Sequence, residues 1–388
     1  MPINSPATSA PSQPVKVVHI VRQYLPSVGG MEEVVRNIAR HQMRQPNQQT
    51  RIITLNRLFR NSEQTLPARE EIDGIEVIRL GYFGSSRYPI CPGVLKYLRD
   101  SDVIHVHGVD FFYDFLAATK WLHRRPLILS THGGFFHTSF ASRAKQAYFQ
   151  SITRLSGNAY NQVVATSAND GNLFSQIMPQ NKLQVIENGV DVEKYALASA
   201  PSLQPCLIYF GRWSSNKGLV PMLAFFAQLH ALQPQWRLII AGREYDHSAV
   251  ELQQQIDNYG LTQAVTLAAN PSDAELKGLL AQASYFICLS RHEGFGIAPI
   301  EGMSAGLTPI LSDIPPFQRL VDESGLGFCT AVDAPAGQVI SKLLHLHAQG
   351  EAAYQARRKD NHAFSRRYAW PAVADRYLAL YHQLRAAS

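Results

Sequence analysis

The sequence predicts an α/β protein with two doubly wound domains, each a parallel sheet covered by helices on both faces. Short apolar runs rich in β-branched residues alternate with helical stretches, and the series starts twice along the 388 residues. Continuous apolar strands separated by helices are typical of buried parallel sheets. Two such series in a chain of this length indicate two domains.

The first series opens with VKVVHIV and a helix from about Met31, followed by TRIITLN, IEVIRL, DVIHVHG, PLILSTHG, QVVATSA and LQVIENG. The second runs through CLIYFGRW, WRLIIAG, AVTLAA, YFICLS, LTPILSD and GLGFCTA. Between them, DVEKYALASAPSLQP loses periodicity and gains Pro, Ser and Ala, which marks a linker. We therefore predict a disordered tail over 1–14, Rossmann-like domains over 15–195 and 204–369, and a final helix over 370–388 that crosses back to the first domain.

Composition excludes several classes of protein. No apolar run approaches the roughly 20 residues of a membrane-spanning helix. The four cysteines have no metal-binding or redox spacing, so we expect buried thiols in a reduced, cytoplasmic protein. The net charge of +6 falls entirely in residues 1–200, which hold 21 Lys and Arg against 15 Asp and Glu. Either an anionic partner of the first domain or an ordinary soluble surface accounts for this excess.

Ligands of open parallel sheets bind outside the carboxyl ends of the strands, where distinctive residues stand here. Gly29 and Gly30 follow the first strand, where paired glycines allow a phosphate to approach a helix N-terminus, unless they form only a tight turn. Asn56 and Arg57 end the second strand in place of an acidic ribose ligand, which argues against a nicotinamide dehydrogenase. His132 ends a later strand, where it would bond a substrate hydroxyl or phosphate, while His137 is expected to be a loop residue.

The second domain carries the strongest motifs. In GRWSSNKG, Arg212 and Lys217 flank a strand-to-helix turn and suit a diphosphate, although a solvated turn would look similar. EGFGIAPIE places Glu293 before a helix expected to begin near Ile297, and Glu301 within that helix. A helical spacing of about 12 Å is too long for a glycosidase acid–base pair at about 5–9.5 Å. Two ends of one long ligand fit better, with a sugar at the first glutamate and a ribose diol at the second.

Two further segments leave alternatives open. RDSD contains a D-x-D pattern at Asp100 and Asp102, which we interpret as a turn at a helix end; no other His, Cys or carboxylate cluster suggests a metal. Residues 137–155 read as a basic amphipathic helix, with Arg143, Lys145 and Arg154 lying off its apolar stripe. That helix would lie on a membrane surface or pack on the core.

These motifs together resemble the retaining glycosyltransferases of family four, which have the GT-B fold of two Rossmann-like domains facing a central cleft. The resemblance covers nearly the whole chain and rests on SVGGMEE, HVHG, STHGGFFH, NGVD, GRWSSNKG and the E-x7-E motif EGFGIAPIE. HIVRQYLPSVGGMEEVV and STHGGFFHT also resemble bacterial α-mannosyltransferases of exopolysaccharide biosynthesis. Those enzymes move mannose from GDP-mannose onto cellobiosyl-diphosphoprenol.

The resemblance implies a role for each matching residue. It places the donor diphosphate on Arg212 and Lys217, the ribose on Glu301, the sugar on Glu293, and His132 beside the acceptor and donor sugar. The remaining expected site residues are Gly29 and Gly30 near the donor phosphates, the backbone of Gly294, Phe295 and Gly296, and Ser167 and Asn188 at the cleft. It also implies that no metal cofactor is needed. We expect no nucleic acid partner. Because the implied acceptor lies in an anionic leaflet and the first 200 residues carry the positive excess, we expect a peripheral position on the inner face of the plasma membrane.

Other functions stay open at this stage. A family member with another nucleotide sugar or a soluble acceptor would carry the same motifs. A nucleotide-sugar epimerase shares the double-Rossmann plan but needs no acceptor. A non-catalytic nucleotide-binding protein is disfavoured because Glu293, Lys217 and His132 are all present.

Overall fold

The computed structural model describes residues 14–59, 61–86, 88–133, 146–293, 295–332 and 336–387. The chain divides into two compact units. The first contains the residues up to Gly189 together with those from Trp370 onward, and the second is Val190–Ala369. The predicted tail, His137, Arg143, Lys145 and Gly294 lie outside the described residues, apart from the tail's last residue.

The first unit is built on a largely parallel sheet with strand order β12-β11-β10-β9-β1-β2-β6-β5. Its strands and the neighbouring hairpin strands are β1 Val15–Ile20, β2 Gln48–Leu55, β3 Arg57–Leu58, β4 Asn61–Thr65, β5 Arg69–Ile72, β6 Ile75–Leu80, β7 Phe83–Ser85, β8 Tyr88–Ile90, β9 Val103–His107, β10 Leu127–Ser130, β11 Gln162–Ala165 and β12 Leu183–Val185. Each strand predicted for this domain is present. The chain order reverses between β1 and β9, which makes this the switch point of the sheet.

The short antiparallel elements of this unit were not predicted. β5 pairs antiparallel with β6 through a turn at Asp73 and Gly74, both with positive φ (56° and 77°). An Asp-Gly pair between strands is a strong hairpin signal, so this element was readable from the sequence. The β3–β4 and β7–β8 pairs are too short to give a periodic signal.

The helices of the first unit cover both faces of its sheet. They are α1 Gly30–Met43, α2 Phe111–Ala118, α3 Lys120–His123, α4 Arg154–Gly157 and α5 Ala168–Phe174, with a π-helical turn at Phe149–Thr153 and 3₁₀ turns at Pro92–Tyr97 and Gln180–Lys182. One core on this sheet is formed largely by β1, β9, β10 and α2, and includes Ile20, Val106 and Phe112. The helix of residues 137–155 is described only from residue 146.

The second unit has a six-stranded parallel sheet with strand order β15-β14-β13-β16-β17-β18. Its strands are β13 Cys206–Trp213, β14 Arg237–Glu244, β15 Val265–Ala269, β16 Tyr285–Cys288, β17 Thr308–Ser312 and β18 Phe328–Thr330. Its helices are α6 Leu219–Leu232, α7 Ala249–Asn258, α8 Asp273–Leu280, α9 Ile297–Ser304, α10 Pro315–Ser324, α11 Gly337–Ala348 and α12 Gly350–Ser365, with 3₁₀ turns at Ser215–Lys217 and Arg366–Tyr368. All six predicted strands are present, and the order is that of a doubly wound Rossmann sheet.

The last helix, α13 (Trp370–Ala386), packs on the first unit. Val373, Tyr377, Leu378 and Tyr381, which have helical spacing in the sequence, are buried there with Val15 and Val17 of β1. None of the four cysteines is in a disulfide; Cys91, Cys206 and Cys288 are buried and Cys329 is half-buried. In the described part of the chain, every helix is too short or too polar to cross a membrane.

Candidate active site

In the second unit, the two loops that carry the strongest motifs meet at the switch point of the sheet. β13 and β16 are neighbours, although three helices and two strands separate them in the chain. The loop after β13 carries Lys217 and the loop after β16 carries Glu293. Because both strands end at the same sheet edge, the two motifs must lie side by side.

Lys217 and Glu293 form an ion pair at this edge. The Lys217 Nζ atom donates to Glu293 Oε1 at 2.5 Å, and the side chains are only 16% and 14% exposed. The Ser290 hydroxyl donates to the same carboxylate oxygen at 2.7 Å. The site therefore holds a desolvated cation with a carboxylate as its partner.

Backbone geometry brings the two loops together. Gly218 has a φ of 66°, and a Cβ atom there would lie 1.9 Å from the carbonyl oxygen of Leu289. Only glycine allows the first loop to pass this close to the end of β16. The Arg291 amide donates to Asn216 O at 2.8 Å, and Asn216 Nδ2 donates to His292 O at 3.1 Å, so the loops are bonded to each other.

The glycine-rich loop continues into a helix N-terminus, as predicted. Helix α9 begins at Ile297 after Gly296, whose φ is 91° and whose Cβ would lie 2.7 Å from the Phe317 ring. Phe295 packs on the core, with its ring centroid 5.6 Å from that of Tyr368. The first amides of α9 follow directly after this loop, and helix N-termini attract anions.

Arg212 lies at the end of β13 with an exposed side chain. Its guanidinium stands over the ring of Tyr245, 5.3 Å from the centroid. The negative face of the aromatic ring attracts the cation at the strand end. Arg212 therefore adds positive charge to the sheet edge that carries Lys217.

Glu301 lies in the second turn of α9 and is poised to titrate near neutral pH. Burial raises its pKa to about 7, Lys194 opposes this rise, and Asp191 and Asp273 add to it. A carboxyl group with this pKa changes its capacity to accept hydrogen bonds within the physiological pH range.

The expected residues of the first unit follow four different strands of its sheet. Gly29 and Gly30 precede α1, His132 follows β10, Ser167 follows β11 and Asn188 follows β12. Gly29 has an extended backbone (φ −163°), and the flexible Glu32 side chain is close to its Cβ position. No atom of the described residues lies within 4 Å of a Cβ placed on Gly30.

Ser167 has a structural role in addition to any contact with a ligand. Its hydroxyl caps α5 by accepting from the Asp170 amide at 3.1 Å. Asn188 differs, because its buried Oδ1 atom has no hydrogen-bond partner in the described part of the chain. An unpaired buried acceptor suits a ligand hydroxyl.

A buried histidine cluster at the switch point of the first unit corrects the sequence analysis, which found no such grouping. His19 of β1 and His105 and His107 of β9 place ring nitrogens within 4.8 Å of one another, which is close enough to share a metal ion. The strand pairing explains the cluster, since His19 is aligned with His105 in the parallel register. Three histidines so far apart in sequence give no spacing signal, although H-x-H at the end of a strand was visible.

Every ring nitrogen of this cluster has a hydrogen-bond partner. His19 contacts His107 and Gln42, and His107 also contacts His132. His105 contacts Ser130 at 2.8 Å and Tyr381 at 2.7 Å. A metal ion would have to displace these partners.

Sequence reasoning also missed Asp110 and Arg22 near the same switch point. Asp110 is buried, caps α2 through the Phe112 amide at 2.8 Å, and pairs with Arg22 Nε at 2.9 Å. Burial raises the pKa of Asp110 to about 6, and Arg22 opposes this rise. The sequence signal that could have found Asp110 is its position, three residues after the strand that ends in the H-x-H pattern.

The D-x-D pattern lies at the opposite edge of the sheet. Asp100 pairs with Arg51, and Asp102 accepts from the Lys16 amide at 2.8 Å. Both aspartates precede β9 and follow a 3₁₀ turn, away from the carboxyl ends of the strands. Their contacts are those of a helix-end turn.

Comparisons with known proteins agree with the fold and the motifs. A family profile described as "Glycosyltransferase Family 4" matches residues 28–194, and one described as "Glycosyl transferases group 1" matches residues 198–360. Relatives from two Xanthomonas species carry the name GDP-mannose:cellobiosyl-diphosphopolyprenol alpha-mannosyltransferase. The one from Xanthomonas oryzae is 50% identical, with 95% of this chain and 97% of the relative covered. The one from Xanthomonas campestris is 51% identical over the same shares.

A solved glycosyltransferase structure from Rickettsia africae has the same fold. It is 17% identical, has a TM-score of 0.73, and the alignment covers 97% of this chain and all of that one. The two family profiles, together with the two Rossmann-like units, identify a glycosyltransferase of the GT-B class. The chain belongs to family 4 of these glycosyltransferases, and its nearly full-length relatives in Xanthomonas are α-mannosyltransferases.

We predict that Lys217 and Glu293 are coupled in stability. Lys217→Met leaves a largely buried carboxylate without its cation and should lower the free energy of unfolding by about 3–5 kcal/mol. The double variant Lys217→Met/Glu293→Gln should recover most of this loss, because no unpaired charge remains. Urea unfolding measures the free energy of unfolding of the single and the double variant. Lys359→Met, at an exposed position of α12, is the control. An equal loss in the single and double variants would refute the coupling.

Proposed function

We propose that this protein transfers mannose with retention from GDP-mannose to cellobiosyl-diphosphopolyprenol in exopolysaccharide biosynthesis. The observation that carries the proposal is the 50% sequence identity to the Xanthomonas oryzae enzyme across 95% of the chain. The Lys217–Glu293 pair at the switch point supports it, because a nucleotide sugar needs both a cation and a sugar ligand at this position.

The donor would bind to the second unit with its diphosphate at Lys217 and Arg212. A diphosphate oxygen would replace Glu293 as the partner of Lys217, which frees the glutamate to bind the mannose hydroxyls. The backbone of Gly294, Phe295 and Gly296 and the N-terminus of α9 would face the phosphates. Glu301 would accept hydrogen bonds from the ribose diol.

The first unit would bind the acceptor through His132, with Gly29 and Gly30 near the donor phosphates. Ser167 and Asn188 are further proposed contacts. The unpaired Oδ1 atom of Asn188 supports its assignment, because a substrate hydroxyl would satisfy it. The structural capping role of Ser167 makes its assignment the weaker one.

In the proposed reaction, an acceptor hydroxyl attacks the anomeric carbon of mannose on the same face from which GDP departs. The bond from that carbon to the diphosphate oxygen breaks, and its electrons leave with GDP. The departing phosphate takes the hydroxyl proton. Lys217 and Arg212 stabilise the developing negative charge, so we propose that no divalent metal is required.

A donor and acceptor panel tests this function. With synthetic cellobiosyl-diphosphopolyprenol, mass spectrometry should show the gain of one hexose from GDP-mannose, with or without EDTA, and far less from GDP-glucose or UDP-glucose. Equal transfer to free cellobiose would favour a soluble acceptor. Preference for another donor, or sugar conversion without acceptor, would reject the mannosyltransferase in favour of another family member or an epimerase.

We predict that GDP binding depends on the protonation of Glu301. Below a pH of about 7 the carboxyl gains its proton and loses a charged acceptor for the ribose diol, so affinity should fall as the pH drops. By calorimetry, affinity at pH 6 should be several-fold lower than at pH 8, up to roughly tenfold. Glu301→Gln is the control, because the phosphate of GDP itself titrates near about pH 6 and does so equally with both proteins. Identical pH profiles for both proteins would refute the ribose role.

We also propose that the first unit binds the inner face of the plasma membrane. Trp121 and Leu122 of α3 and Ile152 and Leu155 near α4 are 70%, 52%, 46% and 72% exposed. The apolar stripe predicted for residues 137–155 thus faces solvent at Ile152 and Leu155, while Phe149 and Thr153 face the core. A basic segment with exposed apolar residues favours the membrane-surface alternative over the core-facing one.

Flotation with anionic liposomes tests membrane binding. Wild-type protein should float with phosphatidylserine vesicles at low salt and be released as salt rises, since each basic residue near the surface contributes about 1 kcal/mol. Arg124→Glu/Arg154→Glu should weaken flotation, while Lys277→Glu/Lys359→Glu, the same charge change on the second unit, should not. If wild type stays unbound at low salt, the peripheral location is rejected.

A further inference from the structure

A line of hydrogen bonds joins the buried interior of the first unit to His132. Gln42 Oε1 contacts His19 Nε2 at 2.6 Å, and His19 Nδ1 contacts His107 Nε2 at 3.0 Å. His107 Nδ1 then contacts His132 Nε2 at 2.9 Å. We call these four residues the histidine relay; three of them, Gln42, His19 and His107, are fully buried.

The three relay histidines are neutral, so each carries one ring proton. Burial lowers the pKa of His19 to about 4, against an opposing effect of its bond to Gln42, and lowers that of His132 to about 3. Burial also lowers the pKa of His107 well below the usual range, and the neighbouring histidines add to this effect. A neutral imidazole donates from one nitrogen and accepts at the other.

The amide of Gln42 gives the relay a direction. Its Nε2 group points to Gln48 Oε1 at 3.5 Å, and Gln48 Nε2 contacts His382 at 2.9 Å, which leaves Gln42 Oε1 as the acceptor toward His19. His19 must then donate from Nε2 and accept at Nδ1. His107 in turn donates from Nε2 and accepts at Nδ1, so His132 donates from Nε2.

We propose that Gln42, His19 and His107 are positioning residues that fix His132 in the tautomer with a proton on Nε2 and a free lone pair on Nδ1. Resting on the function proposed above, Nδ1 of His132 is then an obligatory acceptor for a substrate hydroxyl. The three buried members of the relay thus determine which nitrogen of His132 carries the proton. They do so without touching the substrate themselves.

The backbone of His132 is held by a separate network. His132 and Gly133 both have positive φ, at 53° and 68°. The preceding Thr131 donates to the buried Asp170 at 2.6 Å and accepts from the Thr166 amide at 3.2 Å. One network therefore fixes the position of the imidazole, and the relay fixes its proton.

His105 provides an internal control within the same cluster. Its ring centroid is 4.0 Å from that of His107, but its nitrogens bond to Ser130 and Tyr381 and not to the relay. Tyr381→Phe therefore disturbs the cluster without breaking the line from Gln42 to His132.

Nitrogen-15 NMR of imidazole-labelled protein tests the relay without any activity assay. In wild type, His132 should show a protonated Nε2 and an unprotonated Nδ1. Tyr381→Phe should keep this pattern, and Gln42→Met, which removes the anchoring acceptor, should introduce the other tautomer. A wild-type His132 with its proton on Nδ1, or an unchanged pattern in Gln42→Met, would overturn the proposal.

Kinetics then connect the tautomer with transfer. In Gln42→Lys, a charged lysine offers only a donor to His19 and should reverse the direction of every hydrogen bond in the relay. We expect kcat to fall roughly 100-fold or more, with little change in donor KM. In serine proteases, a wrong histidine tautomer lowers kcat by up to about 10⁴-fold. Tyr381→Phe should retain wild-type kcat. Loss of activity in Gln42→Lys without tautomer inversion by NMR would contradict the relay. Absence of mannosyl transfer by wild type, with the NMR pattern as expected, would instead reject the proposed function alone.

Discussion

The ion pair between Lys217 and Glu293 is the interaction around which the second unit's site is organised. It exists because β13 and β16 are neighbours at the switch point and because Gly218 lets one loop pass against the end of the other strand. Two largely buried charges are costly to desolvate, and such a pair is rarely kept for stability alone. A ligand that carries both negative phosphates and sugar hydroxyls can satisfy both partners at once, which is the chemistry of a nucleotide sugar.

The two units use the same architectural position with different electrostatics. In the second unit the switch point is lined by the charged pair Lys217–Glu293. In the first unit it holds a cluster of histidines whose pKa values burial lowers, beside the Arg22–Asp110 ion pair. Charged groups suit a diphosphate, whose charge grows as the leaving group departs. Neutral rings linked by hydrogen bonds suit sugar hydroxyls, which need an acceptor with a defined orientation. This division matches the proposed assignment of donor to the second unit and acceptor to the first.

The sequence predicted the sheets because buried parallel strands are continuous apolar runs, as in VKVVHI and CLIYFG. Lys217 and Glu293 could be singled out from the sequence because they lie in loops whose glycines are themselves a signal, and the structure brings the two side chains together. Their roles toward a ligand stay predictions. The histidine cluster was missed because it arises from the lateral register of β1 and β9, which single-sequence reasoning cannot align. Asp110 was missed because a single carboxylate three residues after a strand end is a weak signal, and its burial is evident only in the structure. The exposure of the helical segment near Leu155 could not be predicted either, since apolar residues at helical spacing face a protein core as well as a membrane surface.

The most direct measurement of the central claim is a crystal structure of the protein with GDP-mannose or GDP bound. The account predicts the diphosphate at the N-terminus of α9, with Lys217 Nζ bonded to a phosphate oxygen and no longer to Glu293. It also predicts the ribose hydroxyls within hydrogen-bond distance of Glu301. An intact Lys217–Glu293 bond, with the nucleotide bound elsewhere on the second unit, would contradict the account.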